Sequence, residues 1–146
     1  MAYWDTSCVL KLYAPKADSA VFRSHAVIGG TLVTSEVTRL ELWAALRRKE
    51  AVGDLRPGGA RQALAAYDGD VAAGLILVEA MDAAVVTRFE VIIDHVLGRL
   101  PPIPLRTLDA IHLSTASACG ESEVVATDQR LRDAARVMGF SVYPPP

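Results

Sequence analysis

A chain of 146 residues, 51% of them hydrophobic, is long enough to bury its own core and too apolar to be disordered. Its net charge of −2 supplies no overall basic field for nucleic acid, although a cluster of metal-binding carboxylates would itself lower that figure. No apolar run approaches the ~20 residues a bilayer demands, the first residues lack the basic and apolar regions of a signal peptide, and Cys8 and Cys119 lie far apart with no Cys-x-x-Cys pattern. The expectation is one cytoplasmic domain over residues 1–146, with buried free thiols and no membrane contact.

Tyr3-Trp4 opens a short strand leading into Asp5-Thr6-Ser7. Val9 to Tyr13 reads as a short helix stopped by Pro15, and a second helix, capped by Asp18 or Ser19, runs to about Ile28 and stops at Gly29-Gly30. Thr31 to Thr34 is a second strand. Ser35 then takes an N-cap position with Glu36 in the first turn, and Val37, Leu40 and Ala44 recur at helical spacing. Gly53-Asp54 ends that helix, and Pro57-Gly58-Gly59 starts another from Ala60 to about Tyr67. Leu75 to Val78 is the continuous apolar run expected of a strand buried on both faces. Met81 to Leu100 reads as a helix with Val85, Phe89, Ile92, Val96 and Leu100 on one side; a Pro101-Pro102-Ile103-Pro104 hinge precedes a helix from Leu105 to Cys119, stopped by Gly120. Val124 to Thr127 is a strand, Gln129 to Met138 a helix, and Phe140 to Tyr143 a last strand. Strands separated by helices imply βαβ units, hence an α/β fold of three layers with helices on both faces of a central parallel sheet.

Four acidic residues stand out against that frame: Asp5, Glu41, Asp109 and Asp128. Each lies near the end of an apolar strand-like run or on a neighbouring helix. In an open parallel sheet, groups at the carboxyl ends of strands converge on one crevice. Carboxylates gathered there resist ionising together, and a hard divalent cation with oxygen ligands is the usual remedy. Singly, each residue has an ordinary reading. Asp5 and Asp128 suit Asx-turns or helix caps, and Glu41 suits a solvated helix position. Arg106 and His112, each three residues from Asp109, share its face and suggest an Arg106–Asp109–His112 polar cluster, with His112 as a hydrogen-bonded structural residue.

Together the segments are more specific. Asp5-Thr6-Ser7 with Val9-Leu10-Lys11-Leu12-Tyr13, Thr34-Ser35 through Glu41-Leu42, Leu108-Asp109-Ala110-Ile111-His112-Leu113, and Ala126-Thr127-Asp128 with Arg130-Leu131 resemble, over essentially the full length, the PIN-domain ribonucleases of the VapC toxin type found in bacterial toxin–antitoxin pairs. The resemblance places the family's acidic quartet on Asp5, Glu41, Asp109 and Asp128, with Asp5 and Asp109 as the principal metal ligands and Thr6 and Thr127 as supporting hydroxyls. It implies Mg2+ or Mn2+, endoribonucleolytic hydrolysis of structured RNA such as tRNA or rRNA, and a VapB-type antitoxin whose tail obstructs the acidic pocket. It also implies a homodimer and a toxin–antitoxin hetero-oligomer. Arg39, Arg47, Arg106 and Arg130 are the candidates for meeting RNA phosphates. Two rivals remain: a non-catalytic module that binds RNA or a partner, and a phosphatase with an aspartate nucleophile. The phosphatase would want Asp-x-Asp after the first strand, where residue 7 is Ser7, and a late lysine, whereas the lysines are Lys11, Lys16 and Lys49.

Overall fold

The computed structural model describes residues 1–145. In chain order its elements are β1 (Tyr3–Trp4), α1 (Thr6–Tyr13), α2 (Ser19–Gly29), β2 (Leu32–Ser35), α3 (Val37–Ala51), α4 (Gly59–Ala72), β3 (Ile76–Glu79), α5 (Ala83–Leu97), α6 (Thr107–Ala118), β4 (Glu123–Val125), α7 (Gln129–Val137) and β5 (Ser141–Tyr143). The strands form one all-parallel sheet in the order β3-β2-β1-β4-β5. This is the expected three-layer α/β/α arrangement.

Strand alternation builds the two cores. Trp4, Leu32, Ile76 and Val125 face α1 to α4, packing with Val9, Phe22, Leu42, Leu46, Leu64 and Tyr67. Tyr3, Val33 and Val124 face the opposite layer, where Ile92 and Val96 of α5, Leu113 of α6 and Leu131 of α7 cover them. The helix after β1 therefore lies on one face of the sheet and the helix after β4 on the other. Since β1 and β4 are neighbours, their carboxyl ends frame a topological switch point, where such folds open a crevice.

Several elements differ from their sequence-based expectation. Helix α1 begins at Thr6, not Val9, because the Asp5 carboxylate caps it by accepting from the backbone N–H of Cys8 at 3.1 Å. Ser35 completes β2, and Glu36 takes the capping position of α3; its carboxylate accepts from the backbone N–H of Met81 instead. The buried side of α3 is Thr38, Leu42 and Leu46. Leu40 is exposed, as is Ala44, because the wide face packed on α1 and α4 is set by tertiary neighbours and not by the narrow apolar spacing. Helix α4 extends to Ala72, past Tyr67, starting from Gly58 in a left-handed conformation with φ 80°.

Strand β3 is not doubly buried: it is an edge strand paired to β2 alone, and Leu77 and Val78 are exposed. Helix α5 is shorter than expected. Asp82 caps its start, accepting from the N–H groups of Ala84 at 2.9 Å and Val85 at 3.1 Å, and Gly98 ends it, leaving Leu100 in solvent. Replacing Asp82 by Ala should lower stability by about 1 kcal/mol, read as a shift in the denaturant midpoint at unchanged slope; an unaltered midpoint would show the cap contributes nothing. Both cysteines are free, but Cys119 is only half-buried, against the expectation, while Cys8 is fully enclosed and burial pushes its thiol far above the ordinary value. Among the described residues no helix is long and apolar enough to cross a membrane.

Candidate active site

A cleft of about 310 Å³ opens at the switch point, lined by Asp5, Thr6, Ser7, Glu41, Arg106, Asp109, His112, Thr127 and Asp128. All four acidic residues singled out in the sequence are there, together with Thr6, Thr127 and Arg106. Four separate elements deliver them. Asp5 leaves β1 with its N–H bonded to the Val125 carbonyl, so the sheet ladder itself fixes its position. Asp128 is the N-cap of α7, its Oδ1 accepting from the N–H groups of Arg130 at 3.0 Å and Leu131 at 3.3 Å. Glu41 comes from α3 and Asp109 from the first turn of α6. The ordinary capping roles of Asp5 and Asp128 are thus real, and each leaves a carboxylate at the cleft.

The acids are held in two groups. Arg106 bridges one pair, donating from Nε to Asp109 Oδ2 at 2.7 Å and from Nη2 to Asp128 Oδ2 at 3.2 Å. Glu41 belongs to the other group: its Oε1 lies 2.7 Å from Thr6 Oγ1 and 2.6 Å from His112 Nε2. The expected Arg106–Asp109–His112 cluster is therefore split. Arg106 does pair with Asp109, but His112 turns to Glu41, since α3 lies on its side of the cleft. Ser7 Oγ meets Thr127 Oγ1 at 3.3 Å, tying the turns after β1 and β4 together.

Electrostatics separate the acids further. Asp5 is almost wholly buried, and that burial raises its carboxyl above the usual range despite hydrogen bonds from Ser7 and Cys8. Glu41 is pushed up by burial too, but hydrogen bonds from His112 and Thr6 outweigh this and hold it below the usual value. A buried, ionised Asp5 is costly without a cation beside it.

As the side chains stand, no three His, Cys, Asp or Glu residues among the described ones are drawn into a ready metal-ligand group. The chemistry of the donor set still suits a hard divalent cation: four carboxylates and three hydroxyls line one cleft. The guanidinium of Arg106 meets part of that negative charge through Asp109 and Asp128.

Of the other arginines singled out, Arg39 forms a two-point pair with Asp68 at 2.8 and 2.9 Å. Arg47 pairs with Glu50 and lies near the Trp43 ring. Neither lines the cleft, nor does Arg130, which is exposed on the first turn of α7. Sequence reasoning read His112 as a hydrogen-bonded structural residue, which it is, without placing it on the cleft, and missed Tyr3 behind it. The i, i+3 relation of Asp109 and His112 was the available signal, and it indicated the shared face correctly.

This fold and this acidic crevice are those of a nuclease-type PIN domain, and the PIN-domain family model matches residues 2–137. The chain belongs to the PIN-domain family, among its VapC-type ribonucleases. It is 31% identical over 145 residues to Ribonuclease VapC46 of Mycobacterium tuberculosis, spanning 98% of this chain and 96% of that protein. The fold resembles that of Mycobacterium tuberculosis VapC20, described as a Sarcin-Ricin loop cleaving toxin, with TM-score 0.67, 20% identity and 96% of each chain covered. It also resembles VapBC2 from Rickettsia felis, solved bound to a DNA fragment from its promoter, with TM-score 0.67, 12% identity and 97% of each chain covered.

Proposed function

We propose that this protein is a divalent-metal-dependent endoribonuclease, the toxin of a toxin–antitoxin pair, which hydrolyses phosphodiester bonds in structured RNA such as tRNA or rRNA and so inhibits translation and growth. The observation that carries the reading is the convergence of Asp5, Glu41, Asp109 and Asp128 on one cleft at the sheet's switch point. Asp5 and Asp109 are assigned as the principal ligands of Mg2+ or Mn2+, with Asp128 and Glu41 completing the set. A cation held there supplies a bound water of lowered pKa and stabilises charge on the scissile phosphate.

The chain's own residues do the rest. Thr6 holds Glu41 by its hydroxyl, and Thr127 steadies the β4 turn through Ser7. Arg106, on the cleft wall, is placed to meet an RNA phosphate, with Arg130 beside Asp128 as a second contact. Arg39 and Arg47, committed to acids outside the cleft, are the weaker candidates for that role.

The naming of a VapBC pair among the structural relatives supports a VapB-type antitoxin as partner; a homodimer inside a larger toxin–antitoxin assembly and a cytoplasmic location are part of the same proposal.

The test is cleavage of total cellular RNA by purified, antitoxin-free protein with magnesium, manganese or chelator. Discrete cuts that disappear with chelator and in Asp109→Asn are expected. Cutting that survives both would refute the site assignment, and no cutting by verified antitoxin-free protein would favour a binding role.

A further inference from the structure

His112 is nearly inaccessible, yet both of its ring nitrogens are engaged. Nδ1 lies 2.7 Å from the hydroxyl of Tyr3, a fully buried residue of β1, and the two rings meet edge-on with centroids 5.9 Å apart. Nε2 lies 2.6 Å from Glu41 Oε1 and 3.1 Å from Thr6 Oγ1. An ionised carboxylate only accepts hydrogen bonds, so Nε2 must carry a proton toward Glu41. The Tyr3 hydroxyl can donate as well as accept, so with Nε2 protonated it gives its hydrogen to Nδ1. A hydrogen bond at one ring nitrogen selects the tautomer at the other. The bonds from His112 and Thr6 converge on Oε1, leaving the second oxygen of Glu41 available to the cleft.

We propose that His112 is a positioning residue for Glu41: backed by Tyr3, it presents Nε2–H to one carboxylate oxygen and so fixes how the other faces the cleft. This links the innermost strand β1 to α3 through α6, three elements far apart in sequence. It rests on the metal-nuclease reading of the cleft and adds a residue to it. The imidazole is not a ligand. It acts through Glu41, as groups behind metal-binding side chains commonly do.

Substitution by Gln and by Asn separates positioning from space-filling. The Gln amide reaches the place of Nε2 and retains a donor for Glu41, whereas the Asn amide reaches only the place of Nδ1. Manganese binding, measured by calorimetry on the full chain, is the readout, with melting curves for every variant. His112→Asn should weaken Mn2+ binding by roughly 10- to 100-fold, while His112→Gln stays within a few-fold of the native protein. In a Glu41→Gln background His112→Asn should cost nothing further, because the residue through which it acts is gone. Equal losses in both backgrounds, or His112→Gln as damaging as His112→Asn, would overturn the proposal.

Nitrogen-15 spectra of metal-free protein supply an arm that needs no metal and no disruptive variant. The Nε2–H tautomer is expected, with a resonance that moves in Glu41→Gln and loses its tautomer preference in Tyr3→Phe. The Nδ1–H tautomer, or a resonance indifferent to Glu41, would defeat the assignment. If native protein takes up no Mn2+, the metal-nuclease reading falls, and these spectra alone decide whether His112 orients Glu41.

Discussion

Asp5→Asn is expected to abolish RNA cleavage while making the metal-free protein melt at a higher temperature. The two effects share one cause. Asp5 is a buried carboxylate whose ionisation is opposed chiefly by desolvation. Asn keeps the capping acceptor for the Cys8 N–H but removes the buried charge. The lost carboxylate should cost more than about 100-fold in turnover, beyond what loss of a group merely supporting a metal ligand costs.

The stability gain has a defined pH dependence. Because the folded value of Asp5 is raised, its penalty on the native protein is fully present above that value. The penalty is relieved as pH falls through it, and is gone below the ordinary carboxylate range near pH ~4. The melting advantage of Asp5→Asn should therefore shrink between pH ~7 and ~4. Melting curves in chelator across that range check it. A variant less stable than native protein at neutral pH would mean that the Asp5 charge is already well compensated without a metal.

Arg106→Gln should bind Mn2+ more tightly than the native protein and RNA less tightly. The Arg106 guanidinium spans Asp109 and Asp128, so a cation taken up by those two carboxylates competes with it. The Arg106 side chain is 60% exposed, which limits each ion pair to about 1 kcal/mol or less. Two such contacts removed together correspond to roughly a tenfold gain in metal affinity at low salt, fading as salt rises. Loss of a phosphate contact should raise KM for RNA with a smaller effect on turnover. Calorimetry with Mn2+ and cleavage kinetics at saturating metal separate the two. Unchanged metal affinity would show that Arg106 does not compete for the carboxylates.

The amino-acid sequence by itself determined the alternation of strands and helices and the positions of the four acids within it. These are local properties: Asp5 and Asp128 follow short apolar runs and open helices, and the glycines and prolines punctuate the segments between. Asp109 and Arg106 being three residues apart on one helix was enough to foresee their pairing.

What spacing on one element could not supply was the identity of the surface it would meet. The same i, i+3 rule put His112 beside Asp109, yet the imidazole bonds Glu41 and Tyr3, residues 71 and 109 positions away. Arg106 also reaches Asp128 across 22 residues, through the adjacency of α6 and α7. The apolar run of β3 looked like an inner strand, and only the strand order made it an edge. The buried side of α3 was likewise chosen by α1 and α4, not by the Val37, Leu40, Ala44 spacing. Local pattern fixes which side chains share a face, but desolvation and hydrogen-bond partnership depend on what packs against that face. That contact, made only when the sheet closes between its two helical layers, is what sets the orientation and charge of each acid in the cleft.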